Sequence, residues 1–498
     1  MKALSLIFGA IALLALVPAC SSYEKTARNM RAHWTAGNFA EAERIAAEAA
    51  DGASGKDALV WQLDHASTLR AAGRRKEAAA AFEEAAGTLE HWDEQAEILL
   101  SKEALASITN LSALPYRGRS SDAVMLHTYR ALTYLELGKS DSARVALNAA
   151  YRAQQDAVAR NEKEIERAQE EAREHAVSSE KLAADSSLKS ALAAQNAALA
   201  DVQVLADYVN PFTTWLYGIY FLHAGTDAGD LERARKALDR VAQMYPNNTA
   251  VKADLAQCSR AIAGAGTVAA RGSGITYVIF ESGLAPTLGL VRVDTMIPIP
   301  CGRGRWTPTP VSIAFPKLVV SDQRRYWGVI PFAGGTYSAG TARARPVPAL
   351  RANDVFAEEI CDMNSVVRTD FDNAFPAILT RTLVTAFVKS AASAAANAVA
   401  LEYSRNNRNA GASLVALATI VGTSAYTYGS SGADLRCWQT LPQNFSVARL
   451  ETPADGKLTV RVGGRSRTIY LVPASVNLVT VKTTGERGIP VISQAALR

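Results

Sequence analysis

Four stretches in the N-terminal half of the chain repeat one pattern of glycine, alanine and larger apolar residues. They are GNFAEAERIAAEAA (37–50), GRRKEAAAAFEEAA (73–86), GKSDSARVALNAA (138–150) and GDLERARKALDRVAQMYP (229–246). An alanine stands five residues after each glycine, and alanine, phenylalanine or leucine stands nine residues after it. Such spacing places these side chains on one face of a helix. The repeats therefore predict helices that pack closely against neighbours, because one such unit cannot bury its apolar face alone.

These segments resemble the second helix of a tetratricopeptide (TPR) repeat, a unit of two helices and about 34 residues. The resemblance implies that preceding apolar segments, such as MLHTYRALTYLEL (125–137), form the first helices. Residues 152–208 interrupt the repeats and contain neither Pro nor Gly. They predict two long helices arranged as a protruding coiled-coil hairpin with solvated charges. We thus expect a TPR-like α-solenoid over residues 20–265.

After residue 274 the pattern changes to short β-branched and aromatic runs with Gly and Pro between them, which is typical of strands. Prolines within these runs favour strand edges. Residues 374–429 predict two antiparallel Ala-rich helices joined by RNNRNAG, and the tail predicts a small antiparallel sandwich. Residues 266–498 are therefore expected to be a β-rich module with a helical hairpin, which makes the fold class α+β.

The helical hairpin could be buried in this module, or it could lie on or in a membrane. Its first helix carries Arg381, Lys389 and Asn397, and polar groups at those depths of a bilayer are costly. The second helix has only about 16 apolar-leaning residues, which is short for a membrane span. Burial within the module is therefore the preferred prediction, with membrane contact as the alternative.

The N-terminus predicts a secretory signal peptide over residues 1–19. Lys2 precedes the apolar run ALSLIFGAIALLALV, which has the length of a signal core. VPAC (17–20) resembles the lipobox of bacterial lipoproteins. This resemblance implies that cleavage exposes Cys20 and that several acyl chains on Cys20 anchor the protein stably. The alternative is an ordinary signal cleaved at the same place, with a free Cys20.

Two serines follow Cys20, where lipoproteins that stay in the inner membrane tend to carry Asp, so the periplasmic face of the outer membrane is the expected location.

Charge is uneven: residues 266–498 hold 24 Lys and Arg against 14 Asp and Glu, and residues 21–265 hold 28 against 34. The basic half could meet lipid head groups, polysaccharide or an acidic partner, or could simply be solvated. Nucleic acid is not an expected partner in this compartment.

Four further cysteines predict neither a metal site nor a cofactor, because none forms a C-x-x-C pair or has a histidine at ligand spacing. An oxidising periplasm permits disulfides. The preferred pair is Cys361 with Cys437, which flank the hairpin, although three complete pairings are open to the set Cys258, Cys301, Cys361 and Cys437.

Longer phrases resemble one family. They are LPYRGRSSDAVMLHTYRALTYLELGKSDSARV, YVNPFTTWLYGIYFLHAG, ITYVIFESGLAP, VSIAFPKLV and ADLRCWQTLP, and they are similar to an uncharacterised family of bacterial tetratricopeptide-type outer-membrane lipoproteins. The family supplies no catalytic residue to carry over. Members of this family are encoded near small lipoproteins that resemble those of curli secretion or of penicillin-binding-protein activation. The resemblance therefore implies a role in envelope assembly.

We therefore predict a non-catalytic, lipid-anchored periplasmic scaffold that binds envelope proteins, including other small lipoproteins, through its repeats. Within YRGR (116–119), Arg117 and Arg119 are candidate partner or anion contacts, with capping of helix carboxyl ends as the alternative. His127 is expected to be packed and hydrogen-bonded.

The alternative function is an enzyme that acts on peptidoglycan or polysaccharide through paired carboxylates. The candidates are Glu281, Asp294 and Asp322. All histidines precede residue 224, which excludes a Ser-His-Asp or His-metal site in the C-terminal half: His33, His65, His91, His127, His175 and His223.

Overall fold

The computed structural model describes most of the chain after residue 19. The described residues are 20–53, 55–95, 111–174, 185–205, 208–264, 274–300, 306–320, 329–331, 354–407, 409–462, 465–483 and 490–498. The predicted signal peptide, Cys301 and Asp322 lie outside them. The protein is a mixed α+β structure, as predicted.

Helices form the N-terminal half, and most of them contact the next helix along the chain. They are α1 (Cys20–Thr35), α2 (Phe39–Gly52), α3 (Ala58–Ala71), α4 (Arg75–Glu94), α5 (Ser120–Glu136), α6 (Ser140–Glu174), α7 (Ser186–Ala198), α8 (Pro211–Ala224), α9 (Ala228–Met244) and α10 (Thr249–Ala263).

The repeated glycines and alanines explain how these helices pair. Gly37, Gly73 and Gly138 lie in the turns between α1 and α2, α3 and α4, and α5 and α6, with φ between 71° and 79°. A side chain would be strained in that left-handed region. The alanine five residues later is 0% exposed in all four repeats: Ala42, Ala78, Ala143 and Ala234. The prediction of closely packed helices is confirmed at these positions.

The helix α6 departs from the predicted insertion. It is one continuous helix of 35 residues, so the second helix of a repeat and the first helix of the insertion are the same element. Its distal half packs against the C-terminal module, where Arg381 bonds Glu164 at 2.8 Å and Glu171 at 3.3 Å. The predicted protrusion is therefore wrong for this part of the insertion, because Glu164 and Glu171 have a cationic partner within the protein. The prediction of solvated charges holds for Glu162, Glu166 and Glu170, which are exposed.

Three sheets form the strand-rich part of the C-terminal half. Their strands are β1 (Ile275–Ser282), β2 (Thr287–Pro300), β3 (Trp306–Val319), β4 (Val329–Pro331), β5 (Asp354–Phe356), β6 (Glu358–Asp362), β7 (Asn444–Glu451), β8 (Lys457–Val462), β9 (Arg465–Tyr470), β10 (Val476–Thr483) and β11 (Val491–Ala496). The five-stranded sheet has the order β11-β10-β1-β7-β6, the four-stranded sheet β5-β4-β8-β9, and β2 pairs with β3 as a ribbon. The ribbon contains Pro298, Pro300, Pro308, Pro310 and Pro316, and its two strands pair with no third strand among the described residues.

The two larger sheets pack face to face through an apolar cluster that includes Val278, Phe280, Val460 and Val481. The predicted sandwich is present, but its strands are not all antiparallel. β1 and β10 run parallel. A parallel pair needs a long crossover, which the intervening chain supplies.

One hydrophobic core runs from the helices into the five-stranded sheet. Trp34, Phe82 and Trp215 from the helices belong to the same buried cluster as Tyr277 and Val476 from the sheet. The rings of Phe212 and Phe445 stack across this boundary with centroids 3.9 Å apart. The helices therefore bury apolar surface against the sheet as well as against one another.

The hairpin is formed by α11 (Met363–Asn407) and α12 (Ala410–Gly429), so the predicted antiparallel helices are confirmed, although α11 begins earlier than expected. Both are long and apolar enough to cross a membrane by length and composition. Within the most apolar stretch, half of α11 is buried but only 17% of α12. The prediction that the hairpin is buried in the module is therefore wrong for α12.

The predicted disulfide between Cys361 and Cys437 is also wrong. Both are buried free thiols, as is Cys258. The Cys361 thiol lies 3.7 Å from Oδ1 of Asn210, whereas the Cys437 sulfur accepts a hydrogen bond of 3.1 Å from Nε2 of Gln439. The two sulfurs thus face different partners.

Candidate functional site

A cavity of about 240 Å³ opens where three distant segments meet. These are the YRGR loop, the first part of α11, and residues 431–443, which follow α12 and are called the strap below. Four arginines line the cavity: Arg117, Arg119, Arg381 and Arg436. Both predicted contact residues therefore lie at one site.

The YRGR loop is held rigidly at both ends. The backbone N–H of Tyr116 donates to the Lys56 carbonyl at 2.7 Å, and its hydroxyl donates to Asp122 at 2.5 Å. Asp122 also accepts from the backbone N–H of Arg119 at 2.9 Å, which caps the start of α5. Between them Gly118 has φ +72° and packs beneath Leu59 and Leu89. This backbone fixes the direction of both arginines.

Three of the four arginines have carboxylate partners. Glu164 accepts from Arg117 at 3.3 Å and from Arg381 at 2.8 Å. Arg436 bonds Asp434 at 2.7 Å and Asp57 at 2.9 Å. Burial would raise the pKa of Glu164, but the two guanidinium groups outweigh it and lower that pKa. Glu164 therefore stays ionised and balances part of the positive charge.

Arg119 differs from the other three arginines. Among the described residues its guanidinium makes no ion pair as short as those three; it lies 6.0 Å from the ring of Phe371, and the carboxylates of Asp122 and Asp370 are close enough to interact with its charge. Guanidinium groups stay charged and present two parallel N–H donors that match a carboxylate or a phosphate. Arg119 is therefore the guanidinium of this cavity that is least tightly held by a carboxylate among the described residues.

The strap forms one wall of this cavity and is bonded along the helices. Arg436 donates to the carbonyls of Lys56 at 2.7 Å and Leu114 at 2.8 Å. The buried carboxylate of Asp64 accepts from the backbone N–H groups of Gln439 and Thr440, each at 3.1 Å.

Next along the strap, Trp438 lies between Phe82 and Tyr129, and its indole donates to Ser67 at 3.1 Å. The strap therefore covers part of the helical surface that was expected to bind a partner.

The two carboxylates of the alternative function that the structure describes, Glu281 and Asp294, do not lie at one site. Glu281 is 0% exposed and accepts from Arg70 at 2.9 Å, Tyr129 at 2.9 Å and Lys482 at 3.1 Å. Burial alone would raise its pKa, but the charges of Lys482 and Arg70 lower it to about 2. Asp294 lies exposed on the separate β2–β3 ribbon. Glu281 is thus buried and held ionised near neutral pH, so it is part of an ion-pair network rather than a group that faces a substrate.

The histidines show two different environments. His127 is hydrogen-bonded to Nη1 of Arg130 at 2.9 Å, as predicted, and burial together with the Arg130 charge lowers its pKa to about 4. His223 is buried, and its Nε2 lies 2.9 Å from the hydroxyl of Tyr277, which donates to Asp254 at 2.6 Å. Within the described part of the chain, no group of three His, Cys, Asp or Glu side chains could hold a metal ion.

Sequence reasoning found Arg117 and Arg119 because they form a short polar motif before a patterned helix. It missed the roles of Arg381 and Arg436, since both reach the cavity from distant elements; Arg436 bonds Lys56 across 380 residues. The phrase ADLRCWQTLP was the one signal that the strap matters.

Comparison with protein-family models, with curated proteins and with solved structures finds no match for this chain. The resemblance to TPR-type lipoproteins therefore stays a prediction from the motifs quoted above.

Proposed function

We propose that this protein is a non-catalytic scaffold, anchored by lipid on Cys20 at the periplasmic face of the outer membrane, that binds an envelope protein through the arginine-lined cavity. The observation that carries the binding site is the convergence of four arginines on one cavity, in which Arg119 is the least tightly paired among the described residues. The partner it fits is an acidic segment or a terminal carboxylate of an envelope protein, including a small lipoprotein.

We further infer that the helix pairs are a TPR-like solenoid. The left-handed glycines in the turns and the fully buried alanines at matching positions support this. In this solenoid the sheet and the strap cover part of the surface that TPR-like arrays leave open for ligands. The proposed binding surface is therefore the rim where the YRGR loop meets the strap.

The position of Cys20 supports a close anchor. Cys20 is the first residue of α1, and Tyr23 is already buried, with its hydroxyl donating to the Cys437 carbonyl at 3.0 Å. Three residues span at most about 11 Å even when extended. Lipid on Cys20 would therefore hold the folded body at the membrane surface without a flexible linker.

The test is crosslinking in intact cells, with captured proteins identified by mass spectrometry. Wild type is compared with Arg119→Glu, which reverses the charge in the cavity, and with Arg119→Lys, which keeps a charge but loses the planar fork. Arg235→Glu is the matched control, since Arg235 is partly exposed on α9 and lies far along the chain from the loop. Thermal unfolding of each purified variant verifies that the fold is retained.

We expect one or two envelope proteins to be captured by wild type and by Arg235→Glu, weakly by Arg119→Lys, and not by Arg119→Glu. Capture that survives Arg119→Glu contradicts the proposed site. A purified protein that captures nothing but hydrolyses a cell-wall glycan contradicts the scaffold itself. Point substitutions are required here, because deleting whole repeats would remove half of the shared core.

A further inference from the structure

The outer face of α12 is apolar along its whole length. The helix has 20 residues, none of them charged, and is therefore about 30 Å long, the thickness of the hydrocarbon core of a bilayer. Leu414 is 65% exposed, and Leu417 and Val421 are each 59% exposed. Together with the exposed Ala418 and Ala425 they follow the helical spacing of a single stripe.

The helix α11 carries a similar stripe beside it. Val399 is 62% exposed, and Val388, Ala392 and Ala395 are exposed at the preceding turns of the same face. The first charged side chain after Lys389 is Glu402, close to the end of the hairpin. Two neighbouring helices therefore expose leucine, valine and alanine where a helix in water exposes charge.

The contact between the two helices has the opposite polarity. Ser393 pairs with Thr427 at 3.2 Å, and the Thr423 hydroxyl donates to Asn397 at 2.8 Å. Small residues pack around these hydroxyl and amide groups; Ala412 and Ala416 are 3% and 4% exposed. A helix pair with polar groups and small residues inside and an apolar exterior follows the packing rule of helices in lipid, where interhelical hydrogen bonds and close approach hold the helices together.

The base of the hairpin lies beside the proposed anchor. Ala433 and Asp434, just after the end of α12, line the same small cavity as Tyr23 and Glu24, just after Cys20. Arg405 lies at the other end of the hairpin, where its charge suits anionic head groups. The apolar stripes are thus joined to the body at the point where lipid on Cys20 would meet the membrane.

We propose that the exposed faces of α11 and α12 insert among the acyl chains of the bilayer and form a second membrane attachment, separate from Cys20. This goes beyond the proposed function. The apolar exterior of the two helices and the polar contact between them support this inference. Only the argument from the position of the hairpin base depends on Cys20 being the anchor.

The test places an environment-sensitive fluorophore on the full chain through Leu417→Cys, in vesicles of phosphatidylethanolamine and phosphatidylglycerol. The matched control is Val145→Cys on α6, which is 62% exposed, close to the value for Leu417. The buried thiols of Cys258, Cys361 and Cys437 stay unlabelled, and wild type corrects for labelling elsewhere. The fluorescence emission of each labelled protein is measured in vesicles of ordinary lipids and in vesicles of lipids brominated on the acyl chain. Each measurement is made with Cys20 intact and with Cys20→Ala.

We expect brominated lipids to cause loss of emission at position 417 and not at position 145, with Cys20 intact and with Cys20→Ala. Position 417 that stays unquenched while the protein is bound to vesicles overturns the inference and leaves the Cys20 anchor standing. Energy transfer between labelled chains at position 417 without lipid overturns it in favour of contact with a second copy. A further variant, Leu414→Ser with Leu417→Ser and Val421→Ser, should lose vesicle flotation on the Cys20→Ala background, whereas Val145→Ser should not.

Discussion

Replacing Glu281 by glutamine should destabilise the junction between helices and sheet more than any surface substitution. Glu281 on β1 joins Arg70 on α3, Tyr129 on α5 and Lys482 on β10. Arg70 retains Glu136, at 2.7 Å, after the change. Lys482 loses its carboxylate partner and is left as a buried charge.

The magnitude follows from the pKa of Glu281. A carboxyl held at about 2 in place of its ordinary 4.5 corresponds to about 3 kcal/mol of stabilisation in the folded state. Removing one partner of a buried ion pair costs about 3 to 5 kcal/mol. Because the folded pKa lies below the unfolded one, this contribution is complete above about pH 4.5 and is lost as the pH falls towards 2.

The assay is urea unfolding followed by tryptophan fluorescence at several pH values. We expect Glu281→Gln to lower the free energy of unfolding by about 3 to 5 kcal/mol at pH 7, with the difference from wild type shrinking below pH 4.5. Combining it with Lys482→Met should recover part of the loss, because the unpaired charge is gone. Glu41→Gln, which breaks an exposed pair with Arg44, is the control and should leave the midpoint unchanged. A Glu281→Gln midpoint equal to that of the control would refute the reasoning.

Three further outcomes are expected. Trp438→Ala should lower the free energy of unfolding by about 3 to 5 kcal/mol in the same assay, because it empties a buried site between two aromatic rings; an unchanged value would mean that the strap is not docked. The thiols of Cys258, Cys361 and Cys437 should resist maleimide in the native state and react only in urea, since they are buried and burial raises the pKa of Cys437 to about 11; rapid native labelling of any of the three contradicts this. Cys20→Ala should abolish the incorporation of a fatty acid, which metabolic labelling measures, while the hairpin still holds part of the protein in the membrane fraction; a fatty-acid label that persists in Cys20→Ala rules out that attachment site.

The helical half was predictable because its signals are local. A glycine that needs φ near 75° and an alanine five residues later both act within two turns of helix, so the sequence pattern carries them. The end of α6 was not predictable in the same way. No proline or glycine follows Ala150 until Pro211, and nothing local separates a repeat helix from an insertion. What α6 packs against is decided by Arg381, from another half of the chain.

The sheet and the cavity show the same limit. Each strand segment has a local β pattern. However, β1 pairs in parallel with β10, and neither strand's sequence pattern predicts which strand it pairs with. Arg119 was visible as part of a polar loop. Arg381 and Arg436 appear beside it only after the strap and α11 have packed on the helices.

The parallel pairing of β1 with β10 also determines how late in synthesis the five-stranded sheet can form. Ile275 pairs with Val476, 201 residues later, and Val476 and Leu497 belong to the same core as the helices. At about 5 to 20 residues per second, synthesis of that interval takes roughly 10 to 40 s. During it the helices expose an apolar face that their own chain has not yet covered, and contacts of such long range form slowly. The nascent protein therefore needs a chaperone or an unfolded export path for longer than its repeats alone would require.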